Sequence, residues 1–307
     1  PVTSLLQALP RPAETPATAG ARDPLQALVP QLFPPGSPSL YQDWTALLPP
    51  VPIPYRPSTE PDCPDGDPAC IDRTIDEMRH RLDGLAARCD HDAVFGLAYL
   101  RVTEDIRDAI GQGVFRDPAW LGHEDAVFAR LYFDAYDDWH AGRRDRVPKA
   151  WRIAFAAADD RAVTGLGNFL LSMNAHINRD MPYLLAGVGI TESSGRSRKP
   201  DHDVYNRRLA ALYLPVLREV AARFDPRADD LDVGPVDDVA AYQLLAGWRE
   251  VVWRNAERLT LARTPAARAR VARSIEAYAA AQAALIRTVL ADPDPAIRDA
   301  HCAAPGA

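Results

Sequence analysis

Lysine is nearly missing from this sequence: Lys149 and Lys199 are the only two in 307 residues, and arginine supplies the rest of the positive charge. Acidic residues outnumber basic ones, 42 against 35, which leaves a formal charge of -7. That balance excludes a nucleic-acid-binding surface, because neutralising phosphates needs a clustered excess of Lys and Arg. Long hydrophobic runs are missing as well. Even the most apolar stretch, 165–189, is interrupted by His176, Arg179 and Asp180, so nothing reaches the roughly 20 apolar residues of a membrane span. No GxSxG elbow, phosphate-binding loop, GxGxxG turn or HExxH helix occurs, which removes the support for serine-hydrolase, nucleotide-dependent and zincin chemistry.

Cysteine is sparse but even in number. Cys63, Cys70, Cys89 and Cys302 allow three pairings. Cys63 and Cys70 bracket the turn-rich CPDGDPAC, suited to a short disulfide loop, and Cys89 with Cys302 would then tie an early helix to the C-terminal tail. No CxxC or Cys/His spacing suggests structural zinc. The even count beside a Pro-rich leading segment favours export, so a secreted protein is expected. The Arg-, Ala-, Asp- and Pro-rich usage resembles a high-GC, actinobacterial-type coding bias.

Proline is concentrated rather than scarce. Residues 1–69 hold 17 of the 28 prolines, which precludes long helices and predicts an extended arm with short turns at Ser4–Ala8 and Tyr41–Leu48. Its apolar residues, among them Leu32, Phe33, Trp44 and Ile53, predict that the arm packs on the body.

From Cys70 the pattern becomes helical. Ile71, Ile75, Met78, Leu82, Leu85 and Cys89 recur at 4-3-4-3-4 spacing, one stripe of a helix. Further helices are predicted from about Asp92, Pro118, Pro148, Gly165, Asp201, Val236 and Pro265, with Pro215 kinking the sixth. Residues 70–307 therefore read as one all-α domain of about eight helices, with no period-two alternation for strands.

The helix 165–189, GLGNFLLSMNAHINRDMPYLLAGVG, carries the candidate chemistry. Asn168, Ser172, His176 and Asp180 recur every four residues and would share one face, with Asn174 and Asn178 beside them. A buried polar group without a partner costs about 1–3 kcal/mol, so this stripe must face something. An i, i+4 His/Asp pair serves either a metal or an acid–base dyad. Pro182 frees the carbonyl of Asn178. A second segment, DHDVYN, offers His202, Asp203 and Asn206, and Asp137 on the third helix follows an inward-facing aromatic position. The expected site is thus His176, Asp180, Asp203 and Asn178 as catalytic groups, with Asn174, Ser172, Asn206 and Asp137 toward substrate. His176, Asp180 and His202 are the expected ligands if one divalent metal ion is bound. Arg101/Glu104/Arg107 and Glu250/Arg254/Glu257 read as intrahelical salt bridges, and Trp248 and Trp253 as core.

The run MNAHINRDMP, with LGNFLL before it and DHDVYNRRL after it, resembles the signature of a family of actinobacterial and fungal proteins known only as a domain of unknown function. The resemblance covers about Cys70 to Leu259. It implies that His176, Asn178, Asp180, Asp203 and Asn206 are the positions to test, and no activity. The function expected first is a hydrolase of an ester, phosphoester or lipid-like substrate. A metal-free cyclase or isomerase of specialised metabolism, and a non-catalytic protein with a buried polar network, are the alternatives.

Overall fold

The computed structural model describes residues 44–228 and 235–303, with residues 235–241 described by backbone alone. The expected turn at Ser4–Ala8 and the arm residues Leu32 and Phe33 lie outside the described residues.

The first helix, α1 (Pro68–Ala86), starts where Asp67 caps it by accepting from the Ala69 N–H, and Pro68 fills a position that needs no donor. Its predicted stripe, Ile71 to Leu85, is buried. Immediately before it, Cys63 and Cys70 are joined, and Gly66 between them has φ 61° and lies so close to Ala119 that any Cβ would strike that backbone. Then follow α2 (Ala93–Gly111), α3 (Pro118–His140) and α4 (Lys149–Asp159). The N-terminal halves of α2 and α3 are buried on every side, so any polar residue there is taken out of water.

The central helix is divided. It begins as α5 (Gly165–Asn174), widens into a π-helical turn at Ala175–Asp180 and resumes as α6 (Met181–Val188), which ends at Gly189 with φ 84°. Pro182 explains the location. It has no N–H to donate to Asn178, and the Met181 N–H reaches five residues back to the His176 carbonyl instead. The chain continues through α7 (Lys199–Val204), α8 (Asn206–Arg223), α9 (Pro235–Leu261), α10 (Pro265–Val289) and α11 (Ala296–Cys302). The predicted sixth helix is therefore interrupted at Tyr205, while Pro215 lies inside α8. Among the described residues there are only two isolated β-bridges and no strand, and the all-α class expected from the sequence holds.

Helices α2, α3, α4, α9 and α10 pack around the central helix, which makes it the axis of the core. The arm from residue 44 to 67 runs over the outside. Trp44 opens a 3₁₀ turn and donates from Nε1 to Gln243 at 2.7 Å, the Val51 N–H donates to Glu257 at 2.8 Å, and Ile53 enters the core. Cys89 and Cys302 form the second disulfide, which fastens α11 to the turn after α1.

Candidate functional site

The π turn decides where the central polar groups point. An i, i+4 stripe holds only while the helix turns at 3.6 residues, and the wider turn at 175–180 breaks it. Asn168 accordingly serves α11, accepting from Arg298 Nη1 at 2.5 Å. Asn174 donates to the Ala279 carbonyl of α10 at 2.9 Å and accepts from Asn178 Nδ2 at 3.0 Å. These asparagines hold helices together. Asn174 is thereby bonded to α10 and Asn178 to Asn174, the Asn178 Oδ1 being buried without a partner among the described residues, and neither side chain lines the cavity described below. Ser172 is buried, and it too is outside the lining of that cavity.

His176 goes the other way. Its ring is stacked on Phe128 of α3, centroids 3.4 Å apart and planes within 6°, and the edges of Tyr99 and Phe95 of α2 close over it. Asp180 is 1% exposed and accepts from Trp151 Nε1 at 2.7 Å and from Arg179 Nη1 at 2.8 Å. Its Oδ2 is 3.5 Å from His176 Nδ1, an ion-pair distance without hydrogen-bonding geometry, because that oxygen is already directed at Trp151. Both ring nitrogens of His176 thus lack a hydrogen-bond partner among the described residues. Burial lowers the imidazole pKa, against the opposing pull of Asp180, so the ring is neutral at pH 7.

His176 forms part of the wall of an internal cavity of about 100 Å³ bounded by α2, α3, the central helix, α8 and α9. The wall is overwhelmingly apolar and aromatic, with Phe95, Tyr99, Phe128 and Phe169 on one side and Leu209 and Tyr213 of α8 half-buried on the side nearest solvent. Into it project Glu124 and Asp125 from the buried half of α3, and Arg249 from α9. Asp125 is 1% exposed and neither carboxyl oxygen has a hydrogen-bond partner among the described residues; the Tyr99 hydroxyl is equally alone. Burial pushes Asp125 well above the usual carboxylate range and the neighbouring Glu124 adds to the shift, while the Thr103 hydroxyl offsets part of it. Glu124 is pushed up to about 7 by burial, with Arg249 opposing. The cavity therefore holds an acid whose hold on its proton burial strengthens, a phenol and a neutral imidazole, all desolvated and without a hydrogen bond of good geometry among the described residues.

The DHDVYN segment forms a different structure. Lys199 is 2% exposed and donates to Asp203 Oδ2 at 2.6 Å and to the Thr45 carbonyl at 2.8 Å, and Glu250 Oε2 is 2.9 Å away. Asn206 accepts from Arg249 Nε at 2.5 Å and donates to Thr45 Oγ1 at 3.3 Å. His202 receives Arg249 Nη2 on its carbonyl at 2.6 Å, and burial with the adjacent guanidinium depresses its pKa strongly. Asp203, His202 and Asn206 thus clasp the arm and position Arg249, and none of the three lines the cavity. His202 and Asp180 belong to separate networks. Among the described residues no group of three or more His, Cys, Asp or Glu side chains is arranged to hold a metal, so His176, Asp180 and His202 do not form the ligand set expected of them. Asp137, expected toward substrate, is half exposed and forms a two-pronged ion pair with Arg81 on the surface, at 2.7 and 3.0 Å.

The cavity groups beyond His176 did have a signal in the sequence. Glu124 and Asp125 sit in AWLGHEDAVFARLYF, where Trp120, Leu121, Val127 and Phe128 share one face of the helix and Glu124 falls in the middle of it with Asp125 at its edge, so a charge there had to be buried. Arg249 was hidden by the regular Glu250/Arg254/Glu257 spacing. Those pairs exist, Arg254 Nε to Glu250 at 2.7 Å and Nη1 to Glu257 at 3.0 Å, but both glutamates are buried under the arm.

Fold and site together define an all-α protein whose divided central helix presents an unpaired histidine to an aromatic cavity shared with two buried acids and an arginine. The chain belongs to DUF5995, a family of unknown function, whose model matches residues 71–289, more than two thirds of its length. No curated protein and no solved structure matches it.

Proposed function

We propose that this protein is an exported enzyme that moves protons on a small apolar molecule held in the cavity, an isomerase- or cyclase-type reaction without a required metal. The observation that carries the reading is the meeting of Asp125, Tyr99 and His176, each nine-tenths or more buried and without a hydrogen-bond partner, in one aromatic-walled space. Leaving three such groups unsatisfied costs several kcal/mol, at about 1–3 each, which a purely structural core avoids by using Phe or Leu. A ligand supplies the missing partners.

In this reading Asp125, kept protonated by burial, donates to an alkene or carbonyl atom of the ligand. Positive charge developing there faces the rings of Tyr99 and Phe128. Neutral His176 removes a proton from a neighbouring carbon, and return of that proton to Asp125 closes the cycle, so no other reactant is consumed. The two disulfides support an oxidising, extracellular setting. A second reading, hydrolysis of a small ester, draws on the 3.5 Å His176–Asp180 contact, which would let His176 activate a water.

The protein incubated in D2O with small enolisable ketones, alkenes and esters separates the two. Deuterium incorporation without loss of the ligand is expected, reduced about 100-fold or more in Asp125→Asn, provided the variant retains the parent's circular dichroism. Release of free acid from the esters with no deuterium exchange would replace the proposal by the second reading.

A further inference from the structure

Arg249 has hydrogen-bonding capacity that the protein does not use. It is 5% exposed, and its partners are the Asn206 amide oxygen on Nε and the His202 carbonyl on Nη2, all neutral. No carboxylate lies within ion-pair distance of it among the described residues. Lys199 with Asp203 and Glu250, taken with Arg249, sum to zero formal charge, so its charge is balanced at longer range. What it lacks is a bonded oxyanion. Nη1 meets only the sulfur of Met181 at 3.7 Å, a weak acceptor, and both Met181 and Arg249 belong to the cavity wall. A guanidinium held rigidly by its other nitrogens, with one nitrogen turned to an apolar cavity, is pre-organised for an oxygen ligand.

We infer that the occupant of the cavity is a small apolar monocarboxylate whose carboxylate binds Arg249 Nη1 and whose hydrocarbon part lies along the Phe128–His176 wall. The charges on the wall favour this choice. Burial raises the proton affinity of Asp125 and pushes Glu124 up to about 7, so below pH 7 the Arg249 guanidinium is the main charge facing the ligand, with Glu124 the largest charge acting on it. An anion is attracted, whereas a protonated amine would have to force a buried acid to ionise. Size sets the rest. A cavity of about 100 Å³ is smaller than the roughly 150 Å³ apolar cavity that accommodates benzene, so a chain of a few carbons fits and a ring with a substituent or a whole lipid does not. The inference rests on the reading of this cavity as a ligand site, and deepens it by naming the ligand class.

Calorimetric titration of the intact protein with butanoate, butan-1-ol and butylamine at pH 6 tests it. Butanoate is expected to bind about tenfold or more tighter than either of the others, the difference made by one charge-assisted hydrogen bond. In Arg249→Met that preference should vanish while butan-1-ol still binds, and in Arg249→Lys part of it should remain. The parent protein alone decides the matter if either variant does not fold. Equal affinities, or a preference for the amine, would overturn the carboxylate assignment and leave the cavity reading intact. No binding by any of the three would overturn both.

Discussion

Between pH 4 and pH 8, Glu124→Gln is expected to gain about 3 kcal/mol of stability relative to the parent protein. The magnitude follows from the folded-state value of about 7 against the ordinary 4.5, at about 1.4 kcal/mol for each tenfold change in proton affinity. The sign is that of a carboxyl raised by burial. Below its unfolded pKa the group is protonated in both states and costs nothing. As pH rises toward 7 the unfolded chain releases its proton and the folded chain does not, so the parent loses stability while the Gln variant has nothing to lose. Burial also depresses His176 and His202, which lowers stability as pH falls below their ordinary value, but both proteins share those groups and the difference cancels them. Asp125→Asn should behave in the same direction. Equilibrium urea unfolding at the two pH values measures the difference directly, and a flat difference across that range would mean that Glu124 is ionised in the folded protein.

A loss of about 5 kcal/mol is expected when Cys89 and Cys302 are both replaced by Ala, against about 2 for Cys63 and Cys70. In the chain-entropy account the loss grows with the length of the closed loop, and the sequence separations are 213 and 7. The consequences also differ in place. Releasing Cys302 frees α11, which carries Arg298, a buried side chain donating to Asn168 Oδ1 at 2.5 Å and paired with His91 Nδ1 at 2.9 Å. Once α11 departs, Asn168 at the start of the central helix loses its partner. Releasing Cys63 loosens only the turn at Gly66, which Asp67 and the close contact with Ala119 still hold. Differential scanning calorimetry of the two double variants compares the losses, and the account fails if the short loop proves the costlier.

How much of this was legible in the sequence depended on whether a residue's environment followed from local periodicity. The stripe of α1 did, because spacing acts within one helix. His176 was legible as a polar residue in a core helix. The relation of His176 and Asp180 to Asn168 and Ser172 was not, because an α-helical stripe was extrapolated through a turn that Pro182 converts to a π-helix. Asp203, His202 and Asn206 did draw attention as a polar segment, yet Asp203 pairs with Lys199 one helical turn back, and the partner of His202 and Asn206 is Arg249, some 40 residues on, which only the tertiary packing brings near. Glu124 and Asp125 were readable in principle, since Glu124 falls inside the apolar stripe of α3 and Asp125 beside it. Asp137 lies on the surface for the opposite reason: its inward-pointing neighbour does not oblige it to follow, and Arg81 holds it outside.

The central claim is that the cavity's polar groups are unsatisfied within the protein because a ligand completes them. Equilibrium unfolding of His176→Phe at pH 7.5 tests this most directly, since Phe keeps an aromatic ring against Phe128, places its extra volume toward the adjoining cavity and removes the two unpaired nitrogens. A stability within about 1 kcal/mol of the parent, or above it, is predicted. A loss of about 3 kcal/mol or more would show His176 to be a satisfied member of a structural network and would contradict the account.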